Sequence, residues 1–164
     1  MIDFAYGTTP PFASDPFFTR SVSETTLQLI RSPARQKGIA TGPHFKEYPA
    51  FFETAKKNFK AVADAGIPYA MGTDTGPPGR FAGYFEHWEL QLMVEAGVTP
   101  QQALVAATRR AAEVLGAKDL GTLEPTRWAD FVVLDRNPLV DITTTRTIRA
   151  VYIAGHKVQT NAAN

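Results

Sequence analysis

The sequence predicts an α/β fold: strands and helices of a partial TIM-type barrel, followed by short C-terminal strands. Three observations carry that expectation. Residues 66–74 read Gly-Ile-Pro-Tyr-Ala-Met-Gly-Thr-Asp, an apolar run ending in a small residue, a hydroxyl and a lone carboxylate. A buried strand that brings one acidic side chain to the mouth of an α/β barrel reads this way, and such barrels keep their chemistry at strand ends and the loops after them. Residues 50–65 and 99–115 repeat apolar side chains at helical spacing. Beyond Gly116 the period changes from helical to extended.

The elements follow in chain order. Ile2, Phe4 and Tyr6 alternate as in an extended segment, which Thr8-Thr9-Pro10-Pro11 stops. Residues 13–48 read as polar and irregular, with a helix near 24–31; a loop that long in a compact domain serves a site or a lid. Residues 50–65 form a helix. Phe52, Ala55, Phe59 and Val62 are its buried stripe, Lys56, Lys57 and Lys60 lie largely off it, and Gly66 is its stop. Residues 67–72 are too short for a helix and read as a buried strand. Residues 86–96 form a short helix with Leu90, Met93 and Val94 inward, ended by Gly97. The next helix has the clearest start signal: Thr99 as N-cap, Pro100 at the first helical position and Gln102 completing a capping box. Leu104, Ala107, Ala111 and Val114 are its expected stripe, and Gly116 its close. Residues 120–123 then lead into a strand at 129–135, and 148–154 leads through a hairpin turn near Gly155 and His156 to 157–158. Residues 160–164 are expected to fray. These strands are too few to close a barrel, and the terminal ones too few for a sandwich of their own.

Composition narrows the function classes. With 17 basic and 16 acidic residues, the charge balance points to neither nucleic acid nor an acidic membrane surface. The absence of cysteine excludes a disulfide scaffold and any thiolate metal site. No apolar run approaches the ~18 residues of a membrane span. Met1-Ile2-Asp3-Phe4 lacks the basic start and apolar stretch of a signal peptide. The compartment stays open, since a targeting signal would stand on the N-terminal side of a longer chain.

The order of short motifs carries a resemblance. Gly-Thr-Asp-Thr-Gly at 72–76, His-Trp-Glu-Leu at 87–90 and Val-Glu-Ala-Gly-Val-Thr-Pro-Gln-Gln-Ala-Leu at 94–104 are followed by Ala-Ala-Thr-Arg-Arg-Ala-Ala-Glu-Val-Leu-Gly at 106–116. Leu-Gly-Thr-Leu-Glu-Pro at 120–125 and Ala-Asp-Phe-Val-Val-Leu-Asp-Arg-Asn-Pro at 129–138 complete the series. Each motif alone is weak; in this order and spacing they resemble the amidohydrolase superfamily, in particular its branch of imidazolonepropionases and Xaa-Pro dipeptidases. The match runs over about residues 50–158. Thr126-Arg127-Trp128 departs from it, standing where the family usually has a glycine and a lysine.

The resemblance implies a (β/α)8 barrel plus a small β-sandwich built from both chain ends. Residues 1–117 then belong to the C-terminal part of the barrel, with residues 1–6 as its seventh strand. Residues 118–160 are strands of the composite sandwich, and 161–164 a tail. It implies that Asp74, closing the eighth strand, is both a metal ligand and the catalytic carboxylate beside a water activated by a divalent cation, zinc in the expected case. The reaction implied is hydrolysis of C–N bonds in small amides, cyclic amides or dipeptides. The family's other donors are a His-x-His pair, a carboxylated lysine or a glutamate, and two further histidines. This chain has no His-x-His, and its histidines stand far apart at 44, 87 and 156. Catalytic zinc normally takes three protein ligands plus water, so the chain alone is expected to hold metal weakly or not at all and to be inactive.

Each remaining candidate has two readings. Asp74 is either a metal donor or an N-cap for the segment after it. His87, in the first turn of its helix, either contacts substrate or metal ligands at the active-site mouth or is a satisfied structural histidine. His44 reads as a loop histidine and His156 as a surface residue of the turn. The loop 76–80, with Arg80, is either an anion cradle or a rigid connection. The rival to a hydrolase part is a non-catalytic assembly module whose uncovered strand edges need self-association. A third reading is one half of a split enzyme, the missing barrel strands coming from another polypeptide.

Overall fold

The computed structural model describes residues 6–76 and 81–159. Its chain divides into two units, Met1–Phe59 with Asp74–Phe85, and Lys60–Thr73 with Glu86–Asn164. The expected first strand lies outside the described residues except for Tyr6, as does most of the loop 76–80.

In the first unit, short polar side chains start helices wherever the chain reverses. Asp15 accepts from Phe17 N–H at 2.8 Å and Pro16 sits at the first position of α1 (Pro16–Thr19). Ser23 caps α2 (Glu24–Arg31) through Thr26 N–H, and Ser32 with Pro33 opens α3 (Pro33–Ala40). The segment expected to be an irregular loop over 13–48 is therefore mostly helical. The helix at 24–31 matches the expectation, and its neighbours were marked by caps of the same kind. Aromatic rings fill the space between them. Phe18 is fully buried, its ring 5.0 Å from those of Phe12 and Phe81 and 5.1 Å from Tyr84, all edge to face. This is the geometry ring quadrupoles favour. Tyr84 Oη donates to Asp15 Oδ2 at 3.0 Å, and the Arg31 guanidinium donates to the Ala13 carbonyl at 2.6 Å. Leu27 and Ile30 close the core from α2.

α4 (Tyr48–Asp64) matches the expected helix within two residues, but its stripe is not core: none of its residues is buried, and Phe51 is 48% exposed. The period of Phe52, Ala55, Phe59 and Val62 dictates a helix; burial needs a covering layer, and that is a separate condition.

Residues 67–72, expected to be a strand, pair with no strand among the described residues, and a strand exists only through its ladder partners. Asp74 therefore ends no ladder strand among the described residues. α5 (Phe85–Glu95) buries Leu90 and Met93 as expected, with Val94 half-buried. α6 (Pro100–Val105) carries the expected capping box on Thr99 and Gln102, and Gly116 ends α7 (Ala111–Leu115) in the left-handed conformation. Between them lies a π turn, Ala106–Arg110. The extra residue rotates the buried face: Ala103, Ala106 and Ala112 are buried, while Val114, expected inward, is 76% exposed. Residues 120–123, expected to be extended, form a bend against the π turn.

β1 (Phe131–Leu134), β2 (Ile148–Ile153) and β3 (His156–Lys157) form an antiparallel sheet in that order, with Phe131 opposite Tyr152 and a bulge between Val133 and Leu134. The rings of Phe131 and Tyr152 stack at 4.5 Å. Ala154 and Gly155 both take positive φ, as a two-residue hairpin turn requires. His156 falls at the start of β3, just past the turn where it was expected, and is exposed. The described residues are thus α/β, with one small antiparallel sheet.

Candidate functional site

The segment leading to Asp74 is held by helices where a strand would be held by neighbours. In the second unit, Met71 and Thr73 are anchored by hydrogen bonds. Met71 N–H donates to the Ala106 carbonyl at 3.1 Å, where the π turn interrupts the regular helical ladder. The Gly72 N–H faces the Glu89 carboxyl and favours its charged form. Thr73 Oγ1 donates to Glu86 Oε1 at 3.1 Å. Glu86 and Glu89 are three residues apart on α5 and therefore share a face.

Burial pushes the Glu89 carboxyl up from its usual range; the Gly72 N–H opposes the shift and neighbouring Glu86 adds to it. A raised carboxyl holds its proton longer in the folded state. Its contribution to stability is therefore present at low pH and lost as pH rises through the folded pKa.

His87, also on α5, is half-buried, with Nδ1 3.0 Å from Thr145 Oγ1. The Thr145 hydroxyl donates to the Ile142 carbonyl at 2.9 Å. Its proton is committed there, so Nδ1 carries the imidazole hydrogen and donates to Thr145. Burial lowers the His87 pKa, Arg146 lowers it further and Glu86 raises it. Neutral His87 therefore stabilises the fold fully above the unfolded pKa near ~6.5, and this is lost as pH falls through the folded value. Urea unfolding of wild type and His87→Gln between pH 7.5 and 5 checks this. Wild type is expected to lose stability faster on acidification, by less than ~1.4 kcal/mol per pH unit because one partly solvated ring titrates. Equal slopes contradict it.

Asp74 belongs to the first unit by its packing, is exposed, and has a backbone φ of +52°. A non-glycine residue in the left-handed region is uncommon, and aspartate is among those that tolerate it. Of the other candidates, His44 pairs with Glu47 at 3.1 Å on the surface, and Arg80 lies outside the described residues. Among the described residues no three His, Cys, Asp or Glu side chains are placed to hold a metal ion. The donors among the described residues therefore do not make up the set of about three protein ligands that a catalytic divalent cation takes.

Sequence reasoning singled out His87 within His-Trp-Glu-Leu and passed over Glu86, Glu89 and Thr145. The two glutamates were legible as a pair on one helical face; their partners at 72–73 and 145 were not, because periodicity says nothing about contacts between distant segments.

A family model described as the amidohydrolase family matches residues 25–159. The imidazolonepropionase of Deinococcus deserti is 37% identical over 103 residues, 60% of this chain and 26% of that protein. The ochratoxinase of Aspergillus niger is 37% identical over 105 residues, 62% of this chain and 21% of that protein. Among solved structures, phenylurea hydrolase B superposes with a TM-score of 0.58 at 27% identity, covering 82% of this chain and 30% of that one. The chain spans about a quarter of the length of the curated relatives it matches. With most of its length matched by the family model, the chain belongs to the amidohydrolase family.

Proposed function

We propose that this chain is the C-terminal, Asp74-bearing portion of a metal-dependent amidohydrolase acting on C–N bonds of small amides, cyclic amides or dipeptides, and that it does not turn over substrate alone. Residues 1–117 belong to the barrel part and 118–160 to the sandwich strands. The single observation that carries the reading is the family match over residues 25–159, which includes the Gly-Thr-Asp-Thr-Gly segment. The bond class is supported by the phenylurea hydrolase likeness, because hydrolysis of a urea breaks a C–N bond. Asp74 is the catalytic carboxylate and one donor to the divalent cation, zinc in the expected case. No step through that cation follows from the described residues, since they do not complete its ligand set. His87 is a substrate-facing or supporting group of the complete enzyme. The substrate is a small molecule; neither nucleic acid nor membrane takes part.

The test is release of amine from a panel of small amides, cyclic amides and dipeptides, with zinc supplied. No turnover above buffer is expected from the chain alone. Turnover that Asp74→Ala abolishes would make the chain self-sufficient and overturn the reading of it as a portion.

A second reading has its own observation. Leu115 is 81% exposed and Val140 83%, and α4 buries none of its residues. Apolar side chains left open in this way favour a covering polypeptide, either a second copy or one that supplies the missing barrel strands. Sedimentation equilibrium checks it: concentration-dependent association is expected, and a monomer at all concentrations argues against it.

A further inference from the structure

The first unit holds a cavity of about 10 Å³ whose described lining comes from that unit alone. That is room for one water-sized group. Phe12, Ile30, Ile39 and Phe81 give it apolar walls, and Gln36 and Arg35 of α3 bring polar groups to it. Gln36 is 7% exposed, and its side-chain amide donates to the Ile30 carbonyl at 2.6 Å. A carbonyl only accepts, so the atom facing it is the amide nitrogen, and the oxygen turns away. That oxygen, Oε1, is buried and receives no hydrogen bond among the described residues. Buried acceptors are nearly always paired, and an exception needs a reason. Arg35 is half-buried, and its guanidinium meets no carboxylate or carbonyl partner among the described residues. An unpaired acceptor and an unpaired cation thus line one small apolar space.

We propose that this cavity is a binding site for a small hydroxy carboxylate, whose hydroxyl donates to Gln36 Oε1 and whose carboxylate pairs with the Arg35 guanidinium. The two protein groups select the ligand. An amide oxygen takes a hydrogen-bond donor, and beside a guanidinium that donor is neutral, since a second cation would be repelled. The size of the space selects a hydroxyl over an amide N–H. A hydroxyl ends in one heavy atom, whereas an amide N–H brings an acyl group for which there is no room. A guanidinium without an acid is matched by a carboxylate, which it binds through parallel N–H donors. The short carbon chain between the two ends lies against the apolar walls. None of these residues serves the hydrolysis proposed above, and occupancy of the site is independent of Asp74.

The experiment is a nuclear magnetic resonance titration of the whole chain with lactate and with 3-hydroxypropionate, following the Gln36 side-chain amide and the Arg35 Nε–H. Saturable shifts of both signals with at least one of the two acids are expected. Propionate has the same carbon chain without the hydroxyl and leaves Oε1 unpaired; it is expected to bind about tenfold more weakly than the better hydroxy acid. Arg35→Met keeps the aliphatic stem at a half-buried position and removes the charge, so it is expected to fold as wild type does and to weaken the better acid by about tenfold or more. Gln36→Met is expected to bind that acid and propionate equally. Should it unfold for want of the Ile30 bond, the comparison of acids on wild type decides the hydroxyl arm. No saturable shift with either hydroxy acid, or propionate binding as tightly as both, overturns the proposal. Binding that survives Arg35→Met unchanged overturns it as well, since the carboxylate would then be held elsewhere.

Discussion

Replacing Phe18 by alanine is expected to destabilise the first unit by about 3–5 kcal/mol, the range for removing a large ring from a packed core. Phe18 is fully buried and its ring meets Phe12, Phe81 and Tyr84 at 5.0 to 5.1 Å. Removing it deletes three edge-to-face contacts and leaves a void that α1, pinned by the Asp15 cap and by Pro16, is poorly placed to fill. A loss of that size is comparable with the whole stability of many domains, ~5–15 kcal/mol. The near-ultraviolet circular dichroism signal of the aromatic cluster should therefore collapse at temperatures where wild type is intact. Phe51→Ala is the contrast, since Phe51 is 48% exposed; its cost is expected to stay below ~1 kcal/mol. Equal losses from the two substitutions would contradict the placement of the core.

Gly121→Ala is expected to be the most damaging of the glycine substitutions in the second unit, at about 2–5 kcal/mol. Its φ of +85° disfavours any side chain, at ~1–2 kcal/mol. A Cβ there would also stand 2.7 Å from Ala112 Cβ, 3.0 Å from the Thr108 carbonyl oxygen and 3.1 Å from Arg109 Cα. Two of those three atoms are backbone of the π turn and cannot swing aside, so overpacking adds ~1–3 kcal/mol. Gly116→Ala separates the two contributions: φ is +67° and nothing lies within 4 Å of the added carbon, so only the conformational part, ~1–2 kcal/mol, is expected. Urea midpoints of the two variants decide it. A Gly121→Ala no worse than Gly116→Ala would mean that residues 120–123 do not pack against the π turn.

That packing marks the limit of what the sequence revealed. The capping box at Thr99 and Gln102, the stop at Gly116 and the hairpin at Gly155 were legible because each is written within four residues. The face of the helix over 100–115 was not, because a π turn displaces the period and leaves no mark in apolar spacing; hence Ala103, Ala106 and Ala112 face inward where Leu104, Ala107, Ala111 and Val114 were expected. The helices before residue 48 were marked by Asp15-Pro16, Ser23 and Ser32-Pro33, signals outweighed by the surrounding polarity. The run 67–72 has the composition of a strand but no neighbour among the described residues, and composition cannot supply one. The chemistry-bearing positions Asp74 and His87 stood out by residue type and motif. Glu86 and Thr145, which hold Thr73 and His87, act through residues 13 and 58 positions away, beyond the reach of any local pattern.

Zinc titration of the purified chain, by calorimetry alongside Asp74→Ala, bears most directly on whether Asp74 is a single donor belonging to a larger ligand set. Weak, non-saturating heats that are the same for both proteins are the expected result. One tightly held ion per chain, absent from Asp74→Ala, would contradict it and would mean that this polypeptide assembles a metal centre unaided.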